Sequence, residues 1–390
     1  ATVTLNMQPA DNNPEPREAL IRRAFYRSLG VIVTVACAAA ALWFMSWRDA
    51  APPAVEEAVV TGPVSTAAPP AAAPPVVRFT DITAAAGIGF VHVNGSYGEK
   101  LMPETIGSGA AFIDYDNDGD QDLLLVNSGE WPGREQGAPA TPAFYRNDGR
   151  GGFEDVTQAS GLAIHGYGMG AAVGDYDNDG WTDLYLTMLG GNRLLRNTGG
   201  RFNDVTASAG VAGLEDDWST AAAFLDYDND GDLDLFVGNY VLWSRKLNLE
   251  IDFQVTGLGR AYGAPNHFTG AANRLYRNEG NGQFSDVSHA AGIVITDPVT
   301  GLPEGKTLGV APVDYDRDGW LDLVVANDTD RNFLYHNLGN GRFEEVGSLE
   351  GIAYDRNGKS TSAMGIDAAW FRNDADLGIG IGNFANEMSS

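Results

Sequence analysis

A chain of 390 residues that is 44% hydrophobic holds enough apolar material for one large core or two ordinary ones, which excludes an intrinsically disordered protein. Its 52 acidic against 25 basic side chains leave a formal charge of -27, a field that repels nucleic acid and excludes it as a partner. The 49 glycines and 18 prolines cluster between short apolar runs, which excludes a helical bundle in favour of an all-β fold with frequent turns, and the single cysteine, Cys37, excludes an internal disulfide.

Residues 1–28 carry Arg17, Arg22, Arg23 and Arg27 and read as a cytoplasmic segment. They lead into an uncharged run, 29–47, whose length as a helix, roughly 28 Å, matches a bilayer core. The arginines before it, Asp49, Glu56 and Glu57 after it, and Trp43 and Trp47 at its far edge predict a transmembrane helix with the N-terminus inside. A cleaved signal peptide is the alternative, disfavoured by the length of the run and by Pro52 and Pro53 beyond it. Residues 48–75, rich in Ala and Pro, read as an extended linker. The remainder, 76–390, is therefore expected on the periplasmic or extracellular side of the cytoplasmic membrane.

That remainder repeats itself. FIDYDNDGDQDLLLVN from Phe112, VGDYDNDGWTDLYLT from Val173, FLDYDNDGDLDLFVGN from Phe224 and PVDYDRDGWLDLVVAN from Pro312 share one acidic loop between two apolar runs. Each is followed by a second element, FYRNDGRGGFEDVT, LLRNTGGRFNDVT, LYRNEGNGQFSDVS or LYHNLGNGRFEEV. The runs are too short for helices and are bounded by Gly, Asn and Asp, so each unit reads as four strands, and repeated four-stranded sheets predict the blades of a β-propeller. RFTDIT at 78–83 copies the end of a unit and is expected as an outermost strand that completes the last blade. The segments TASAGV and SHAAGI are expected to make helical turns between blades.

The loop pattern is D-x-D-x-D-G-x-x-D. Carboxylates at positions 1, 3, 5 and 9 converge as the chain curls, and glycine at position 6 permits the sharp turn. The ligand candidates are Asp114, Asp116, Asp118 and Asp122; Asp175, Asp177, Asp179 and Asp183; Asp226, Asp228, Asp230 and Asp234; and Asp314, Asp316, Asp318 and Asp322. Four carboxylates without a counter-ion repel one another, and an all-oxygen set in a flexible loop suits Ca²⁺, so about four calcium ions are expected. Position 12 is Leu125, Leu186, Val237 or Val325 rather than Glu, which rules out an EF-hand. A fifth copy, MGIDAAWFRNDADLGIGIGNF, holds Trp370 and Arg372 at positions 1 and 3; it keeps only Asp374 and is expected to bind no calcium.

On these loops and on phrases such as GYGMGAAVGDYDNDGWTDLYLT and GAANRLYRNEGNGQF, residues 77–387 resemble the FG-GAP or VCBS repeats of integrin α-subunits and exported bacterial proteins. The wording of the repeats is similar to the branch that includes cartilage acidic protein and the bacterial ASPIC/UnbV-associated proteins. The resemblance implies a propeller of which at least five repeats are visible, calcium at the sixteen aspartates, and a longer parent protein of which this chain is a fragment. Arg317 stands where the other loops have Asn at position 4, which puts a cation beside the fourth site.

The connection from Tyr240 to about Gly270 is far longer than its counterparts. It gathers Trp243, Arg245, Lys246, Arg260, Tyr262, His267 and Phe268, a basic and aromatic set expected to meet a partner or to cover a propeller face. The five histidines lack zinc spacing and read as structural. GYGMG at 166–170 and GIGIG at 378–382 read as tight strands near the propeller axis rather than phosphate loops. No catalytic motif is visible. The expected function is a non-catalytic scaffold for protein or carbohydrate recognition or adhesion; an enzyme with its catalytic groups in the 240–270 loop or further along the parent chain is the alternative.

Overall fold

The computed structural model describes residues 26, 29, 78–134, 139–371, 377–385 and 387. The linker 48–75, all of the expected anchor but residue 29, and Asp374 with the rest of 372–376 in the fifth loop lie outside the described residues. No helix among the described residues is long and apolar enough to cross a membrane. The chain divides into two units, Ala1–Arg78 and Phe79–Ser390, and the second carries the repeats.

Each repeat folds into one antiparallel sheet in chain order. The first contains β1 (Ala110–Ile113), β2 (Asp122–Leu125), β3 (Ala143–Asn147) and β4 (Phe153–Asp155). The second contains β5 (Tyr167–Gly174), β6 (Asp183–Leu189), β7 (Arg193–Asn197) and β8 (Phe202–Asp204). In the third, β9 (Ser219–Leu225) and β10 (Asp234–Asn239) are separated from β13 (Arg274–Asn278) and β14 (Phe284–Asp286) by the long connection, which forms its own hairpin of β11 (Gln254–Val255) and β12 (Gly259–Arg260). The fourth contains β15 (Thr307–Val313), β16 (Asp322–Asn327), β17 (Phe333–Asn337) and β18 (Phe343–Glu345). The fifth has two described strands, β19 (Ala363–Ala369) and β20 (Gly378–Asn383).

Both faces of the middle sheets are covered, which is why a second strand such as DLYLTML reads as a continuous apolar run. Alternation then divides its side chains between two cores. Leu184 and Leu186 pack with Leu124 and Phe144 of the first sheet, whereas Tyr185 packs with Leu235 and Val237 of the third. On the far side of the third sheet, Phe236 joins Leu323 and Val325 of the fourth. Successive sheets therefore stack face to face, and their first strands converge on one cavity of about 420 Å³ lined by residues of β1, β5, β9, β15 and β19. Glycine lets these strands approach: a Cβ on Gly170 would lie 2.5 Å from the carbonyl oxygen of Thr220. This arrangement is the expected propeller-like one.

Three expectations differ in detail. RFTDIT forms no strand among the described residues, and Phe79 is 95% exposed. An outermost strand needs a third strand beside it, and the fifth sheet presents two among the described residues. The segment instead contributes the turn after it, where the Ala86 carbonyl accepts the Phe153 N–H at 2.8 Å, as that of Ala291 accepts Phe343 N–H at 2.7 Å. GIGIG lies in β20, while the cavity-lining strand of its sheet is β19. The turn at TASAGV is helical, α2 (Thr206–Ala209), like α1 (Thr157–Ser160) before it, whereas SHAAGI makes a plain turn.

Candidate metal centre

Each acidic loop joins the first strand of a sheet to the second, with position 9 as the first residue of the second strand. One web of hydrogen bonds recurs in all four. The position 1 carboxylate accepts the position 5 N–H, at 3.1, 3.0, 3.1 and 3.1 Å for Asp114, Asp175, Asp226 and Asp314, and also the N–H of the glycine at position 6. The position 9 carboxylate accepts two: from the tyrosine at position 2, and from the asparagine ending the third strand of its own sheet. For Asp183 these are Tyr176 N–H at 3.2 Å and Asn197 N–H at 2.7 Å. Asn117, Asn178 and Asn229 at position 4 adopt the left-handed backbone, φ 56°, 55° and 56°, which turns the chain so that positions 3 and 5 face inward.

These bonds draw carboxylates together. Oxygens of Asp114, Asp116 and Asp122 lie within 4.8 Å of one another, and the same holds for Asp175, Asp177 and Asp183, for Asp226, Asp228 and Asp230, and for Asp314, Asp316 and Asp322. Asp122, Asp183, Asp234 and Asp322 are fully buried, and burial pushes the carboxyls of Asp122, Asp183 and Asp234 up to about 6, 7 and 7 and raises that of Asp322. In the first three loops the position 3 aspartate has one oxygen, Oδ1 of Asp116, Asp177 and Asp228, that is buried and hydrogen-bonded to nothing. An orphaned carboxylate oxygen facing other carboxylates is what a hard cation satisfies, so the acidic clusters fit a metal ion.

The fourth loop differs. Asp316 Oδ1 accepts the Asp318 N–H at 3.2 Å, and His336 Nδ1 lies 3.2 Å from Asp322 Oδ1 and 3.6 Å from Asp316 Oδ2. Asp316, Asp318 and His336 could themselves hold an ion. Sequence reasoning set His336 aside as structural for want of zinc spacing. The signal was its alignment with Arg146, Arg196 and Arg277, since Arg196 on β7 likewise reaches position 3 of the second loop, with Nε 2.5 Å from Asp177 and the guanidinium 2.9 Å from Asp179.

The basic and aromatic residues of the long connection mostly make contacts within the protein, although Arg245, Tyr262 and His267 are exposed as well as Lys246. Arg245 pairs with Glu99, Tyr262 donates to Glu104 at 2.9 Å, and Arg260 bonds Asp252 and the Asn248 carbonyl. Trp243 donates to Asn248 at 2.9 Å and stacks on Trp131 at 5.7 Å, Phe268 is buried, and His267 packs edge-on against Phe253. Lys246, with its side chain 84% exposed, faces solvent beside Glu250, and Leu258 at the hairpin tip is 83% exposed. Together with 97–106 the connection caps the end at which the first strands begin; the acidic loops lie at the end where they finish.

The FG-GAP-like repeat family matches residues 114–186, 179–237, 264–325 and 314–377, together more than half of the chain. Cartilage acidic protein 1 of Xenopus tropicalis is 27% identical over 190 residues, 47% of this chain and 24% of that protein. Its counterpart in Mus musculus is 32% identical over 121 residues, 30% of this chain and 17% of the mouse protein. The matched stretches thus span a quarter or less of these relatives. A solved structure of an Agrocybe aegerita lectin, described for its recognition of non-reducing terminal N-acetylglucosamine, aligns with a TM-score of 0.33 and 18% identity over 60% of this chain and 49% of the lectin. No conclusion about ligand follows from a likeness of that size.

Proposed function

The chain belongs to the FG-GAP-like repeat family, and from that premise we propose that it is a calcium-stabilised, non-catalytic scaffold that presents its loops to a protein or carbohydrate partner outside the cytoplasmic membrane. The observation that supports calcium is the orphaned position 3 oxygen, repeated in Asp116, Asp177 and Asp228 beside a fully buried position 9 carboxylate. The sixteen aspartates would hold the ions, with the first three loops the better matched and the fourth altered by His336 and Arg317. Bound calcium would add positive charge to these clusters, of which the second already has Arg196 against Asp177 and Asp179, and fasten each loop to the second strand of its sheet.

At calcium ~100 times the dissociation constant each independent site would add about 2.7 kcal/mol. Calorimetric titration of chelator-stripped protein should count three to four ions, roughly one per intact loop, and chelation should lower the melting temperature. Asp228→Ala should remove one ion from that count. A protein that takes up no calcium at millimolar concentration and melts alike with and without chelator would end this reading.

The recognition surface would lie on the outward side of the long connection, where Lys246 and Leu258 stand clear of the contacts that Arg245 and Tyr262 make with Glu99 and Glu104. The topology rests on the arginines before residue 29 and the acidic exit after residue 47. Protease added outside intact cells should remove the repeats; degradation only after lysis would reverse the orientation.

A further inference from the structure

We propose that the four loops take up calcium as a coupled series, in which ordering one loop prepares its neighbour. The proposal rests on the calcium reading above and concerns residues that are not ligands in it. Adjacent loops are joined by two hydrogen bonds running in opposite directions. Forward, the position 4 side chain donates to the position 6 glycine carbonyl of the next loop: Asn117 to Gly180 at 2.9 Å, Asn178 to Gly231 at 3.3 Å and Asn229 to Gly319 at 3.2 Å. Asn178 also donates to Asp232 of the next loop at 2.9 Å. Backward, the asparagine ending the third strand donates its side-chain amide to the position 2 carbonyl of the preceding loop: Asn197 to Tyr115 at 2.8 Å, Asn278 to Tyr176 at 2.8 Å and Asn337 to Tyr227 at 2.7 Å.

Both kinds of bond end beside ligand positions. The forward donor sits between positions 3 and 5 of its own loop, and its acceptor between positions 5 and 7 of the next. The backward donor has its own N–H held by a position 9 carboxylate, as Asn197 is by Asp183 at 2.7 Å and Asn278 by Asp234 at 2.8 Å. An ion that draws positions 3 and 5 inward therefore fixes the asparagine between them, and with it the glycine on which the next cage turns. The conformational freedom lost at the second loop is smaller once the first is filled, which makes binding positively cooperative. At Arg317 the forward series of asparagines ends.

The test is a calcium titration of the chelator-stripped full chain, with bound ions counted by metal analysis, for the wild type, Asn178→Gly and Asn229→Gly. Glycine accepts the left-handed backbone at these positions, φ 55° and 56°, so the substitution removes the amide without straining the turn. The wild-type isotherm should be steeper than that of independent sites. Each variant should keep the wild-type number of ions, need about fivefold more calcium for half-saturation, and show a shallower isotherm. The two variants break different links, so either one that folds, as judged by its far-ultraviolet spectrum in calcium, is sufficient. A wild type that fills its loops with the isotherm of independent sites, or variants that superimpose on it, would overturn the coupling and leave the calcium reading intact. A wild type that binds no calcium would overturn both, and the ion count separates the cases.

Discussion

Asp183 is buried and accepts two backbone N–H groups, yet burial prevails and pushes its carboxyl up to about 7; Asp234 is also raised to about 7 and Asp122 to about 6. In each case the folded value lies above the ordinary 3.8, so the contribution to stability is complete below about pH 4 and is lost as pH rises through 6 to 7. The melting temperature of the chelated protein should therefore fall between pH 5 and pH 8. Excess calcium should remove that fall, because the ion favours the ionised carboxylates. Melting curves at both pH values, with and without chelator, check this, and a chelated protein that grows more stable over the interval contradicts it. The sixteen aspartates were legible in the sequence because the cage is built within nine consecutive residues and repeated. His336 was not, because strand pairing, rather than spacing along the chain, brings it to Asp322.

At the scale of elements, the long connection was legible as exceptional but its direction was not. Arg245 and Tyr262 find their partners, Glu99 and Glu104, in 97–106, a segment more than a hundred residues earlier that no local pattern links to it. The helix α3 (Arg245–Ile251) begins at Ser244, whose Oγ accepts the Leu247 N–H at 3.1 Å. It sets Asn248 inside the cap, where Oδ1 accepts both the Met102 N–H and the Trp243 indole N–H at 2.9 Å. Asn248→Ala would strand two donors, one of them buried, and should cost about 2–4 kcal/mol in denaturant unfolding. Leu258→Asp, at the exposed hairpin tip, should change stability by no more than about 0.5 kcal/mol while weakening partner capture. Equal losses of stability in the two variants would show that the connection does not divide into a structural inner side and a free outer one.

For the molecule as a whole, the repeats announced stacked sheets because a strand covered on both faces must be apolar at every position, and four strands of this kind recur in register with the acidic loops. How the series of sheets is completed was less legible, since pairing at RFTDIT depends on a neighbour that the sequence of that segment does not specify. Charge adds a property that no single sheet has. Four divalent ions would cancel about eight of the excess negative charges, and the acidic loops that would hold them are chained along one end of the first strands, so metal-free repulsion is concentrated there rather than spread over the surface. Added salt screens repulsion between exposed charges more than about 10 Å apart at 0.1 M, which weakens repulsion between loops more than repulsion within one. Sodium chloride should therefore raise the melting temperature of the chelated protein more than that of the calcium-saturated protein. Melting curves across a salt series in the two states check this. An equal response in both would mean that the repulsion relieved by calcium stays within each cage and is not shared between loops.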